Sequence, residues 1–186
     1  MEKDDSKLIL EYLNGDENSF RDLVLRYLKP IYNFSLRMTG NKNDSEDIVQ
    51  DVFLKVWKNL KKYDERAAFK TWIFTIARNT IFDYLRKNKE LIFSDLENDN
   101  DEISFEENIV DEDVNIEESF FENEILENLK EGIEKLSKKD KEILFLRYED
   151  GITFEEISKI LEKPLNTVKS DYRRALLRLK KLIAPK

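Results

Sequence analysis

Residues 44–57 read Asp-Ser-Glu-Asp-Ile-Val-Gln-Asp-Val-Phe-Leu-Lys-Val-Trp, and their spacing decides how the rest of the chain is read. Asp44, with Asp47 three residues on, has the form of a helix start: a capping carboxylate and acids in the first turn, where the helix dipole favours negative charge. Helical periodicity then separates two faces. Ile48, Val49, Val52, Phe53 and Val56 form an apolar stripe that should meet a core. Asp47, Gln50, Asp51, Leu54 and Trp57 fall on a neighbouring stripe of acid, amide and large apolar groups. By spacing alone this second stripe fits a solvated edge with a partly covered tryptophan. It also fits a docking face, since a large aromatic among charges is the composition of an interface anchor.

The bulk composition narrows the chemistry. The 186 residues include no Cys and no His, which excludes disulfides, structural zinc held by those ligands and any catalysis that needs imidazole or thiolate. No cofactor and no metal are expected. No apolar run approaches the ~18 residues of a membrane span, and Met1-Glu-Lys-Asp-Asp lacks the form of a signal peptide. The expectation is a cytoplasmic protein with no membrane insertion. The net charge of −8 would argue against nucleic acid, but it averages unlike parts. Between Ser94 and Glu124 stand 14 acids and no Lys or Arg; the remainder holds 32 basic residues against 26 acidic. Two basic bodies are thus joined by an acidic connector.

Helical spacing places helices over 7–13 and 18–38, with Gly15-Asp16 and Gly40 to Asn43 as punctuation and Pro30 marking a kink or junction. After the helix from Asp44, the polar run 61–68 forms a turn, and a further helix spans about Phe69 to Lys87. In that helix Phe69, Trp72, Ile73, Ile76, Ala77 and Leu85 can pack inward, while Thr71, Thr75, Arg78, Asn79, Phe82 and Arg86 share an outward stripe. From Lys61 to Ile92 basic residues outnumber acidic by eight to four, which fits a solvated face or a surface that holds phosphates and accepts an unstacked base. No sustained period-two alternation occurs, so the fold is expected to be all-α. It comprises two small helical domains, residues 1–90 and 123–186, with 91–122 as a flexible acidic linker and a short helix within 117–124. Like charge dominates that linker, whose scattered apolar residues cannot offset its ordering entropy.

The second domain reads as four helices. Ile125, Leu126, Leu129, Ile133 and Leu136 mark the first, Ser137 with Asp140 caps the second, Gly151 ends it, and Thr153 with Glu156 forms a capping box for the third. After Glu162–Pro164 comes a helix from Asn166 to Leu182, with Val168, Tyr172, Ala175, Leu176, Leu179 and Leu182 facing in. From Lys163 to Lys186 there are eight Lys or Arg and one Asp. A short helix, a tight turn and a longer basic helix are the parts of a helix-turn-helix, though basic helix pairs also occur in plain bundles.

Three motifs narrow the reading. Asp-x-Glu-Asp-x-Val-Gln-Asp-x-Phe-x-x-Val-Trp (44–57) resembles region 2.2 of the extracytoplasmic-function (group 4) sigma factors of bacterial RNA polymerase. Phe-Lys-Thr-Trp-Ile-x-x-Ile-Ala-Arg-Asn-x-x-x-Asp-x-Leu-Arg (69–86) is similar to regions 2.3 and 2.4 of that family. Gly-Ile-Thr-Phe-Glu-Glu-Ile-Ser-x-Ile-Leu, followed by Pro-Leu-x-Thr-Val-Lys-Ser-x-x-x-Arg-Ala (151–175), resembles its region 4. The resemblance implies a sigma region 2 bundle and a sigma region 4 helix-turn-helix. It implies that Asp47, Gln50, Asp51, Leu54 and Trp57 bind the clamp coiled coil of the polymerase beta-prime subunit, the second domain meeting the beta flap. Tyr63, Arg66, Lys70, Arg78, Asn79, Phe82 and Arg86 would melt and read the minus-ten element, Asp83 being structural and Trp72 core. Thr167, Lys169, Ser170, Arg173 and Arg174 would face the minus-thirty-five element, with Thr167 where helix N-terminal amides can hold a phosphate. An anti-sigma factor is a further candidate partner, and no catalysis is implied.

The chain departs from that family's pattern at three positions: Glu162 and Asn166 stand where Gly is usual, and Asp171 where Arg is. Glu tolerates a left-handed turn less readily than Asn. Asp171 puts negative charge beside DNA unless it accepts from a cytosine amine or pairs with Arg174 or Lys169. Two other readings compete with this one. The first is a DNA-binding regulator in which the N-terminal helices dimerise or sense; it leaves the stripe at 47–57 without a role. The second is an enzyme holding magnesium on Asp47 and Asp51, for which no second acidic face is evident.

Overall fold

The computed structural model describes residues 3–64, 66–95, 126–148 and 151–184, with the backbone alone over 88–95. All secondary structure among the described residues is helical. The chain divides into two compact units, one built on α1 (Asp5–Leu13), α2 (Glu17–Thr39), α3 (Lys42–Asn59) and α4 (Phe69–Asp95). The other is built on α5 (126–134), α6 (Lys138–Tyr148), most of α7 (Phe154–Ile160), and α8 (Leu165–Ile183). The acidic connector and the short helix expected within 117–124 lie outside the described residues.

In the first unit α3 packs against both α2 and α4. Leu23, Tyr27, Ile31, Phe34 and Met38 of α2 meet Ile48, Val49, Val52 and Val56 of α3 and Ile73, Phe74, Ala77 and Ile81 of α4 in one buried core. Full burial of such a side chain is worth about 1.5–3 kcal/mol, so this interior dominates the unit's stability. Local signals set the helix ends. Asp4 and Asp16 cap α1 and α2 by accepting from Lys7 and Asn18 backbone N–H groups. Gly40 closes α2 at φ 73°, a conformation that costs glycine nothing, and donates its N–H to the Leu36 carbonyl. Pro30 does not divide α2, which runs through it.

Four expectations shift. The helix expected from Asp44 begins two residues earlier: Asn41 is its cap, with Oδ1 accepting from the Asp44 N–H at 3.1 Å. Phe53 is half-buried rather than core. At about 100° per residue, Ile48, Val52, Val56 and Val49 fill the arc that α2 and α4 cover, and Phe53 lies about 40° past its edge. Thr71, expected outward, is buried, because the first turn of α4 is drawn in by Phe69 and Ile73. α4 also continues to Asp95, beyond the expected stop near Lys87.

The second unit buries Leu136, Ile143, Leu144, Leu146, Ile152, Ile157, Val168 and Ala175. Both caps read from the sequence form. The Asp140 N–H donates to Ser137 Oγ. Thr153 and Glu156 exchange bonds, the Glu156 N–H to Thr153 Oγ1 at 3.2 Å and the Thr153 N–H to the Glu156 carboxylate at 2.7 Å. Asp140 is itself buried and accepts from Arg178 at 2.6 Å, tying the start of α6 to α8. α8 begins at Leu165, one residue before the expected start. At its far end Leu182 is 41% exposed where an inward position was expected, and the neighbouring Ile183 is the half-buried one. α5 approaches this end of α8 so closely that a Cβ on Gly132 would lie 2.5 Å from Ile183 Cγ2.

Phe74→Ala is expected to cost about 3–5 kcal/mol of the first unit's stability, read from urea unfolding. Gly132→Ala should destabilise the second unit, since the clash with a branched side chain outweighs the gain of about 1 kcal/mol in helix propensity.

Candidate functional site

The buried arc of α3 fixes what its other side presents. Asp47, Gln50, Asp51, Leu54 and Trp57 are all exposed, with Leu54 at 51% and Trp57 at 53%. Fixed between α2 and α4 by its valines and isoleucine, α3 cannot rotate to hide them. Phe20 of α2 joins Gln50, Phe53, Leu54 and Trp57 in lining an open groove of about 490 Å³. Phe20 is held from behind by Tyr12 of α1, ring centroids 5.1 Å apart. The groove is apolar on its floor, and Asp47 and Asp51 stand on the same helix outside its lining. No group of three or more candidate metal ligands occurs among the described residues.

The turn into α4 is pinned by aromatic packing. Tyr63 packs edge-on against Phe69 at 5.6 Å and at a tilt against Trp72 at 5.2 Å, Phe69 meets Tyr27 at 5.4 Å, and the Tyr63 hydroxyl donates to the Ala67 carbonyl at 2.6 Å. Tyr63 and Trp72 are both half-buried members of this cluster, so Trp72 is less enclosed than its inward position suggested. Arg66 is exposed on the turn and pairs with Asp64 at 2.9 Å; Lys70 is half-buried just inside α4. Further along the helix, the Arg78 guanidinium lies 5.0 Å over the Phe82 ring and donates to Asn79 Oδ1 at 3.2 Å. Arg86 reaches back to Asp83 at 3.0 Å, an exposed ion pair within one turn of the helix. Cation, amide and ring therefore form one continuous face on α4, with the ring plane already satisfied by a cation. Between α3 and α4, Lys55 donates to Thr80 Oγ1 at 2.9 Å, a bond no periodicity signalled.

On α8, Thr167, Lys169, Ser170, Arg173 and Arg174 are exposed on the first turns, where backbone N–H groups point outward. The turn before them bends through Glu162 at φ 52°, a left-handed conformation at a non-glycine residue. Asp171 faces Lys163 at 2.9 Å and also accepts from Arg174; of the pairings weighed from sequence, Arg174 is met and Lys169 is replaced by Lys163. The Lys163 ammonium, first, and then Arg174 hold the Asp171 carboxyl below the usual aspartate range. Behind the helix, Phe154 packs edge-on against Tyr172 at 5.2 Å and carries Arg147 over its other side at 5.0 Å.

A packed bundle exposing a stripe of acid, amide and large apolar groups, and a capped helix pair exposing a basic helix, define an all-helical protein of two units. Comparison with known proteins gives that class its family. Residues 23–90 match the sigma-70 region 2 family and residues 126–179 match sigma-70 region 4. The extracytoplasmic-function RNA polymerase sigma factor SigW of Bacillus subtilis is 32% identical over 176 residues, covering 94% of each chain. The sigma-E factor of Escherichia coli is 30% identical over 172 residues, covering 92% of this chain and 90% of that protein. Among solved structures, the sigma factor RpoE of Bartonella quintana, crystallised with the anti-sigma factor NepR, superposes with a TM-score of 0.70 at 22% identity, covering 88% of this chain and 96% of that one. The chain belongs to the extracytoplasmic-function RNA polymerase sigma factors.

Phe20 had no signal in the sequence as a wall of the α3 groove. It stands 30 positions before Gln50, and only the packing of α2 on α3 joins them. Phe53, expected in the core, lines that groove instead. Phe53→Ala should accordingly cost only about 1–2 kcal/mol, less than a fully buried phenylalanine, while opening the groove floor; chemical unfolding beside Phe74→Ala makes the comparison.

Proposed function

We propose that this chain binds core RNA polymerase through the outward stripe of α3 and directs promoter recognition through α4 and α8. The observation that carries the reading is that Leu54 and Trp57 stand half exposed on a helix whose opposite side is sealed. Large apolar side chains on a rigid element, flanked by Asp47, Gln50 and Asp51, are the composition of an interface hot spot. The partner this favours is the clamp coiled coil of the beta-prime subunit, with the beta flap receiving the second unit. Residues 1–90 then form the region 2 domain, 91–122 an acidic linker and 123–186 the region 4 domain, a division the matches at 23–90 and 126–179 support.

On α4 and its turn, Tyr63, Arg66, Lys70, Arg78, Asn79, Phe82 and Arg86 face the minus-ten element. Their mixture of cations, amide and rings suits a single strand with an unstacked base. Tyr63, committed to the ring cluster, shapes that surface more than it reaches from it. Thr167, Lys169, Ser170, Arg173 and Arg174 face the minus-thirty-five element from α8. Two weak DNA contacts held by one polymerase act at high effective concentration, so the free protein binds promoter duplex poorly. The protein works in the cytoplasm, beside the chromosome, as a specificity subunit with no reaction of its own. An anti-sigma factor that covers the α3 stripe would hold it inactive.

Asp51→Lys and Trp57→Ala should each abolish co-purification with core polymerase while leaving the circular-dichroism spectrum and melting temperature unchanged; retained binding by both would remove α3 as the docking face. Replacing Lys169 or Arg173 by Met should flatten the salt dependence of promoter binding by the reconstituted polymerase, by about one unit of slope for each phosphate left unneutralised.

A further inference from the structure

α8 carries a single acid, Asp171, among six Lys or Arg, and the structure gives that acid two partners at once. One carboxylate oxygen accepts from Lys163, in the turn before the helix, at 2.9 Å. The other accepts from Arg174, one turn further along the same face. Lys169, Arg173, Lys180 and Lys181 form no ion pair among the described residues, whereas Arg178 is committed to Asp140 behind the helix. The exposed cations therefore fall into two kinds: solvated ones that keep their full charge, and Arg174 with Lys163, whose charge is partly cancelled and whose side chains are tethered.

These kinds suit different tasks on a duplex. Phosphate binding depends on charge and is indifferent to sequence; base edges are read by donors in fixed positions. A long arginine that swings freely favours phosphates. One gripped by a carboxylate through one nitrogen keeps the rest of its planar fork open, in an orientation set before DNA arrives. We propose that Asp171 is a specificity-determining residue: it orients Arg174 toward a base edge and subtracts charge that would otherwise hold any duplex. Lys163 is its second anchor, and it ties the left-handed turn at Glu162 to α8, so that the grip on Arg174 is referred to the turn as well as to the helix. The inference rests on α8 being a promoter-reading helix.

The test uses the full chain reconstituted with core polymerase and a duplex pool randomised across the upstream element. Wild type should enrich a defined set of duplexes. Asp171→Asn should lose about tenfold of that enrichment at one or two adjacent positions, as expected for one bidentate base contact. It should also retain more total DNA, with a salt slope steeper by about one. Arg174→Lys, which keeps both the charge and the Lys163–Asp171 tie, should lose the same positions without a change in slope. Full wild-type enrichment retained in Asp171→Asn, or in Arg174→Lys, overturns the proposal. So does loss confined to cytosine in Asp171→Asn with an unaltered slope, which would mean the carboxylate touches DNA itself. If Asp171→Asn fails to fold, Asp171→Ser takes its place and is read by the same outcomes. No enrichment by wild type sinks the promoter reading of α8, and this proposal with it.

Discussion

The burial of one side of α3 is the constraint on which the rest of the first unit depends. Ile48, Val49, Val52 and Val56 occupy about 100° of the helix and are covered by α2 and α4. With all four β-branched and stiff, in a close-packed interior, there is one rotational setting in which they fit. Everything on the far side follows from it. Trp57 and Leu54 are exposed because no rotation could hide them without exhuming the valines. The free energy that would have favoured covering them is forgone in the fold.

The second unit meets a different demand, since α8 must expose cations along most of its length and still be held firmly. Fully buried apolar side chains do little of that holding: only Val168 and Ala175 of α8 are completely enclosed. Polar and aromatic attachments supply the remainder. The Asp140–Arg178 pair joins α6 to α8 and the Phe154–Tyr172 contact joins α7 to α8. The capping exchange between Thr153 and Glu156 fixes where α7 begins. A buried carboxylate such as Asp140 is costly unless its partners are in place, so the Arg178 bond matters to where α8 sits on α6.

Helix identity and order were legible from apolar spacing, and the capping pairs at Ser137–Asp140 and Thr153–Glu156 from residue type alone, because both are local signals. The outward stripe of α3 was legible as a stripe, although spacing by itself left its purpose open. What escaped depended on neighbours distant in the chain. Phe53 and Thr71 sit near the borders of their stripes, where a few degrees of helix rotation decide burial. Asn41 outcompeted Asp44 for the cap because the chain turns at Gly40, and a cap is chosen by where the turn ends. Phe20 in the groove, and Lys163 rather than Lys169 beside Asp171, required the packed elements themselves.

The shallow seating of α8 has an evolutionary corollary. A helix that commits just two residues wholly to the interior, and is otherwise held by half-buried contacts such as Tyr172 and by the Arg178–Asp140 pair, leaves its remaining solvent-facing positions open to replacement at little penalty to folding. Substitutions at its solvent-facing positions can therefore drift or be selected almost independently of the scaffold beneath. Descendants of one such chain could come to present different surface chemistries on α8 while their skeletons stayed nearly superimposable.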